Sequence, residues 1–283
     1  MKRVIDAHHH LWKFNEREYG WIGADMSSIR RDFSVCDLES ELSVAGVDGT
    51  VAVQARQTLA ETDFLLEIAE NSNRVTGVVG WFPLRSPSVE EEISNRRAAV
   101  ERTQLVGARH VVQDEPDPGF ILDESFNRGI SVLSTFDLVY DILVVEDQLP
   151  QAIEFVDRHP NQRFVLDHAA KPRIKERVLE PWRTKLQELA KRENVFCKVS
   201  GLITEADKTT WDIESLRPYL DHIFESFGPT RLMFGSDWPV CLTAGSYRQW
   251  LESVKDYSDE LTESERDALF GGTAQAVYGV SVS

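Results

Sequence analysis

Cysteine is scarce in this chain: Cys36, Cys197 and Cys241 are the only three in 283 residues. They lie far apart and no CxxC occurs, so no paired-cysteine motif is on offer. The three read as small buried hydrophobes in a reducing compartment. Positive charge is short as well. Lys and Arg number 31 against 47 Asp and Glu, a net charge of -16. Nucleic acid and anionic membrane surfaces are therefore not expected partners, because both need a basic face. No apolar run approaches transmembrane length. Met1-Lys2-Arg3 leads straight into strand-like sequence without the apolar core of a signal peptide, so a cytoplasmic location is expected. A glycine-rich phosphate turn after the first strand is also missing, which counts against a doubly wound dinucleotide fold. No linker, repeat or low-complexity segment divides residues 1–283.

What remains is ordinary globular composition, 42% hydrophobic and 28% charged, in a chain long enough for a full core. Eight short runs rich in Val, Ile, Leu and Phe read as strands: Val4 to His10, Gly49 to Ala55, Val75 to Phe82, Val106 to Val112, Leu138 to Val144, Arg163 to His168, Val195 to Val199 and Leu232 to Ser236. Helical patterns alternate with them. Asp37 to Ala45 stops at Gly46, Asp123 to Thr135 carries Phe126, Ile130 and Leu133, and Leu216 to Phe227 stops at Gly228-Pro229. The segment after Ser88 has Val89, Ile93 and Val100 as its apolar positions. Strand-helix alternation implies a parallel sheet, and eight such units in this length predict an α/β fold, a single-domain (β/α)8 TIM barrel. The longest gap, Trp12 to Gly49, contains Tyr19-Gly20-Trp21 and is expected to form a loop over the barrel mouth.

The chain has only seven histidines, and three are consecutive: VIDAHHHLW. Their apolar flanks argue against a purification tag. Strand alternation places Asp6, His8 and His10 on one face, and Ala7, His9 and Leu11 on the other. Two imidazoles side by side suit a metal or a polar substrate between them. In a barrel of this kind the active site lies at the C-terminal ends of the strands. Those ends carry His8 and His10, Arg109 and His110, Tyr140 and Asp141, Asp167, His168 and Lys171, Lys198 and Ser200, and Asp237 and Trp238. Singly, each has a structural explanation: Arg109, for example, can pair with Asp114 or Glu115. So many polar groups on one rim are hard to explain as packing, because unpaired buried charge is costly. His159 and His222 fall away from strand ends and read as surface residues. His8, His10, His168 and Asp237 form a first shell for Zn²⁺ or Mn²⁺. Asp237 is then positioned to take a proton from water, and Arg109 to stabilise an oxyanion. Trp12, Trp81 and Trp238, with the many donors, suit a small polyhydroxylated ring.

At these residues the chain resembles the amidohydrolase superfamily. It is similar within it to the sugar-lactonase branch of L-fuconolactonase- and L-rhamnonolactonase-like enzymes. The likeness runs through IDAHHHLW, VQARQTLAETDFLL, GVVGW, GARHVVQDEPD, FVLDHAAKP, CKVSGL and LMFGSDWPVC. The resemblance implies a hydrolase that opens a sugar-derived lactone to the aldonic acid. Asp237 is then the general base, with His168 and His110 as further catalytic groups. Arg109, Trp12, Arg56, Lys198, Trp238 and Tyr140 are expected substrate contacts. The chain departs from the superfamily's two-metal pattern, since Arg109-His110 and Tyr140-Asp141 stand where bridging and histidine ligands would be. One divalent ion, Zn or Mn, or a metal-free mechanism follows. A decarboxylase, or an amide or phosphoester hydrolase, on the same barrel is the alternative reaction class. A sugar-acid binding protein without turnover is the non-enzymatic one. A homo-oligomer is compatible with the sequence, which specifies no oligomeric state.

Overall fold

The computed structural model describes residues 3–99 and 104–282. Eight strands occur in the expected order: β1 Ile5–His9, β2 Gly49–Val53, β3 Val75–Gly80, β4 Leu105–Val111, β5 Val139–Leu143, β6 Phe164–Leu166, β7 Val195–Val199 and β8 Leu232–Phe234. Between and after them run α1 Val35–Ala45, α2 Leu59–Asn71, α3 Val89–Ala99, α4 Glu124–Thr135, α5 Leu149–Arg158, α6 Trp182–Ala190, α7 Leu202–Glu205, α8 Ile213–Phe227, α9 Tyr247–Tyr257, α10 Glu263–Asp267 and α11 Thr273–Tyr278. The helices start and stop where the sequence punctuates them. Ser34 and Asp37 form a capping box on α1, which ends at left-handed Gly46. Val100, counted among the apolar positions after Ser88, lies outside the described residues.

All the strands pair in parallel in the order β1 to β8. The last seam is closed by the amide of Asp237 donating to the His8 carbonyl at 2.8 Å and by the His10 amide donating to the Trp238 carbonyl at 2.6 Å. This is a (β/α)8 barrel. One apolar cluster fills the space between strands and helices. A second, built from Ile5, Ala7, Val51, Val53, Val139, Val165 and Met233, fills the lower barrel interior, where α11 and Val280 plug it.

Simple alternation fails in β1. Asp6 pairs with Thr50 but His9 pairs with Ala52, so three steps of β1 face two of β2. This bulge reverses the phase. Ile5 and Ala7 point into the barrel below it, and His8 and His10 above it. Asp6 is therefore not on the histidine face. It turns outward and accepts from the amides of Ser236 at 2.8 Å and His8 at 3.1 Å and from the Tyr247 hydroxyl at 3.1 Å. His9 also turns outward, and neither of its ring nitrogens has a partner among the described residues.

Strands β6 and β8 stop short of the expected His168 and Ser236 for a local reason. The backbone from His168 to Lys171 is left-handed at four consecutive residues, with φ of 53, 48, 58 and 50°, and Asp237 is left-handed at 56°. Such conformations are costly for residues with a Cβ and tend to collect at functional sites.

Two sequence expectations are corrected here. Cys36 is exposed, whereas Cys197 and Cys241 are buried as expected. His222 is buried rather than on the surface, with Nε2 2.7 Å from the Arg183 carbonyl, and half-buried His159 pairs with Asn127.

Candidate active site

The C-terminal ends of the strands enclose a cavity of about 290 Å³. That is near the lower end of the range of roughly 300–1,000 Å³ for small-molecule sites, and suits a compact ligand. His10, His168 and Asp237 line its floor, Arg56, Arg109 and Lys171 its walls, and Glu18 and Trp21 its mouth. The last two come from the β1–α1 segment, which overlies the mouth as expected. Trp21, at 41% exposure, is held edge-on by Trp12.

Three imidazoles converge on one carboxylate oxygen. Asp237 Oδ1 lies 3.7, 3.5 and 3.9 Å from the Nε2 atoms of His8, His10 and His168. Each ring is oriented from behind. His10 Nδ1 faces the Val53 carbonyl at 2.7 Å, which places a proton on Nδ1. His168 Nδ1 meets the Ser200 hydroxyl at 2.8 Å. His8 Nδ1 meets Lys198 Nζ at 3.1 Å and Asp167 Oδ1 at 3.3 Å. Two glycines permit this crowding. A Cβ on Gly235 would stand 2.8 Å from the His8 Cβ, and one on left-handed Gly201 would stand 2.6 Å from His168 Nδ1.

Below the histidines lies a buried charge network. Lys198 Nζ pairs with Asp141 at 2.5 Å and Asp167 at 2.9 Å, and Arg109 pairs with Asp167 at 2.8 Å. Tyr278, reaching up from α11, donates to Asp141 at 2.8 Å. Burial pushes Asp141 up to about 6 despite Lys198. Asp167 is held well below the carboxylate range because Lys198, His8 and Arg109 outweigh its burial.

The electrostatics suit a metal. Burial, reinforced by Lys198, holds His8 well below its ordinary value, and burial takes His168 down to about 4. Burial raises Asp237, but His168 and His10 outweigh it and keep the carboxyl ionised. Neutral imidazoles and a carboxylate are the protonation states a divalent ion requires. One ligating atom from each of His8, His168 and Asp237 lies within 4.8 Å of the others. Three protein donors with an open position is the pattern of catalytic zinc. The residues present therefore fit one divalent ion, and His10 faces the same point.

Several expected contacts lie elsewhere. Tyr140 faces the helices, packed against Phe126, Phe155 and Phe164. Trp12 is wholly buried beneath the mouth and donates to the Arg31 carbonyl at 2.8 Å. Trp238 is buried against Phe33. Lys198 is inaccessible, because Asp141, Asp167 and His8 surround it. His110 is turned outward, stacked on Phe120, and bonded through Nε2 to Glu115 at 2.6 Å, with the Trp81 indole donating to Nδ1 at 3.3 Å. Arg109 pairs with Asp167, not with Asp114 or Glu115. Alternation in β4 and β5 is the reason: Arg109 and Asp141 face inward, so His110 and Tyr140 must face outward. Arg56 does line the cavity, clamped by Glu61 at 2.8 Å and Glu18 at 2.5 Å. Sequence reasoning passed over Trp21, Glu18 and Glu61 as site residues. Loop composition carries no signal for which aromatic in WKFNEREYGW faces the mouth.

Residues 5–280 match the amidohydrolase family. The chain belongs to that family. Among its relatives, an L-fucono-1,5-lactonase of Burkholderia multivorans is 42% identical over 290 aligned positions, covering 98% of this chain and 96% of the relative. A protein of the same name from Burkholderia ambifaria is 37% identical, with 98% and 95% covered. A crystal structure of an amidohydrolase from Burkholderia multivorans with bound zinc aligns with a TM-score of 0.94 at 42% identity, covering 99% of this chain and 100% of that one. For this amidohydrolase, zinc in so similar a structure accords with the donor set formed by His8, His168 and Asp237.

Proposed function

We propose that this amidohydrolase is a lactonase: it opens a sugar-derived lactone to the aldonic acid by attack of an activated water. The observation that carries the reading is the Asp237 carboxylate, ionised and facing three imidazoles at the floor of a compact cavity. The names of the two Burkholderia relatives support L-fucono-1,5-lactone, or a close stereoisomer, as the substrate. The decarboxylase alternative has less support, since a water-activating carboxylate faces the cavity and both Burkholderia relatives are named as lactonases.

A divalent ion held by His8, His168 and Asp237 supplies Lewis acidity to the water or to the ester carbonyl when bound. Asp237 takes a proton from the attacking water. Arg109 is anchored by Asp167 and the Gln54 carbonyl, while its Nε–H has no partner among the described residues. We assign the Arg109 guanidinium, which lines the cavity, to the substrate's carbonyl oxygen, where negative charge develops. Trp21 covers the sugar ring from the mouth. We assign the enzyme to the cytoplasm, a reading that its three free thiols support. No helix among the described residues is long and apolar enough to cross a membrane.

The test is acid release from a panel of 1,4- and 1,5-aldonolactones, including the L-fucono, L-rhamnono, L-galactono and D-arabinono compounds. One or two stereoisomers should turn over well above background. Asp237→Asn should lower kcat at least about 10²-fold, with the fold intact by circular dichroism. A flat panel from zinc-supplied protein, or full activity in the variant, would overturn the assignment.

A further inference from the structure

Opening a lactone requires a proton for the ring oxygen as well as a base for the water. The sequence offers His168 or His110 for that proton; His110 is turned away and bonded to Glu115, and His168, held neutral by burial, belongs to the metal-binding donor set. His10 commits Nδ1 to the Val53 carbonyl, and its Nε2 faces His8 Nε2 at 3.2 Å and Asp237 at 3.5 Å on the floor. Of the three cations that line the cavity, Arg56 is clamped by two carboxylates and Arg109 by Asp167. Both are guanidiniums, which do not release protons near neutral pH. The third is Lys171.

We propose that Lys171 donates the proton to the ring oxygen as the lactone C–O bond breaks, an inference that rests on the lactonase reading above. The Lys171 ammonium lines the cavity and is partly exposed to it. Among the described residues its one ion-pair partner is Glu205 Oε1 at 3.9 Å, beyond hydrogen-bond length, which leaves its N–H donors open to a ligand. The same left-handed turn that presents His168 presents Lys171, with φ of 53° at one end and 50° at the other. The turn is reinforced where it closes, by the Lys171 amide donating to the His168 carbonyl at 2.9 Å. A backbone this costly, holding a floor imidazole and an uncommitted ammonium on one wall, is what a two-proton reaction needs. Glu205, from α7, holds the ammonium on the cavity side. Burial raises its carboxyl, and Lys171 works against that rise.

The step balances. The water oxygen bonds to the carbonyl carbon as Asp237 takes one water proton. The tetrahedral centre collapses, the ring C–O bond breaks, and its electron pair stays on the departing oxygen. Lys171 gives that oxygen a proton and becomes a neutral amine. The proton on Asp237 returns to the amine directly or through solvent. The new carboxylic acid ionises, so one proton is released per turnover.

The experiment compares zinc-supplied wild type, Lys171→Ala and Lys171→Arg on the lactone that wild type turns over best. Circular dichroism and zinc content serve as checks on the fold and the floor. The expected result is a kcat loss of about 10²–10⁴-fold in Lys171→Ala. KM should change by less than about threefold. Ethylammonium should restore part of the kcat of Lys171→Ala, and tetramethylammonium at equal ionic strength should not, because it carries no proton to give. Lys171→Arg should stay as impaired as Lys171→Ala, because it keeps the charge but not the transferable proton. Should the alanine variant fail to fold, the arginine variant decides alone. Wild-type kcat in Lys171→Arg, a loss confined to KM, or a folded Lys171→Ala that ethylammonium does not improve, each overturns the proposal. A wild type that opens no lactone overturns the lactonase reading itself, and this inference with it. A wild type that does, with equally active variants, overturns only the role of Lys171.

Discussion

His8 illustrates how tightly one side chain is specified. Its ring has Lys198 and Asp167 behind it, Asp237 in front, and Gly235 against its Cβ. Packing at that last contact leaves no room for a methyl group. Gly235→Ala should push the imidazole off its position rather than unfold the barrel. Overpacking of this kind costs about 1–3 kcal/mol, and a displacement of about 1 Å at a reacting centre can cost 10²-fold in rate. Expected, then, are a modest fall in melting temperature, a large fall in kcat and weaker zinc binding in a competition titration. Wild-type kinetics in this variant would mean that His8 does not need its present placement. At this scale the sequence was informative where residue chemistry is unusual, as in HHH, DHAAKP and GSDWP. It was uninformative about direction. Arg109 and His110 are adjacent, and only the pleat decides that the first faces the cavity and the second does not.

At the scale of elements, the barrel floor is tied to the last helix. Tyr278 of α11 donates to Asp141 of β5, which pairs in turn with Lys198 of β7. Replacing Tyr278 with Phe removes a donor from a carboxylate that has no access to water. Losing one hydrogen bond to a buried charged group costs about 1–3 kcal/mol. Tyr278→Phe should therefore lower stability by that amount in urea unfolding while leaving KM nearly unchanged, since Tyr278 does not line the cavity. A variant with unaltered unfolding would show that Lys198 alone satisfies Asp141. The eight strands and most helices were legible because period and punctuation are local properties. The β1 bulge was not, because it is a mismatch in pairing between two strands, and neither strand encodes it alone.

For the whole molecule, the acid response reflects the cost of burying so many titratable groups. Burial takes His9, which has no hydrogen-bond partner on its ring, down to about 3. A histidine depressed in the fold contributes stability above its unfolded value near 6.5, and that contribution is lost as pH falls toward its folded value. Asp6 is pushed up to about 6, chiefly by burial. A raised carboxyl acts oppositely: between about pH 6 and 4 the folded chain holds a proton the unfolded chain lacks, so acidification favours the fold. The two classes offset one another in the wild type. Replacing His9 with Leu removes one opponent. On acidification from pH 6 to pH 4, the stability of His9→Leu relative to wild type should rise by about 1.4 kcal/mol per pH unit. A constant difference across that range would mean that His9 is not held neutral.

The sequence by itself determined the barrel, the end of it that carries chemistry, and the set of residue types from which the site is drawn. Alternation, helix caps and residue chemistry are properties of neighbours along the chain, and they survive without a structure. Tertiary structure decided which members of that set meet. It joined His8, His168 and Asp237, some 230 residues apart in the chain from first to last, and turned Tyr140, His110, Trp12 and Trp238 away. It also left Lys171 as the cavity's uncommitted cation. Those outcomes depend on strand register, on a bulge and on left-handed turns, and each is settled by the closure of the whole barrel rather than by any segment of it.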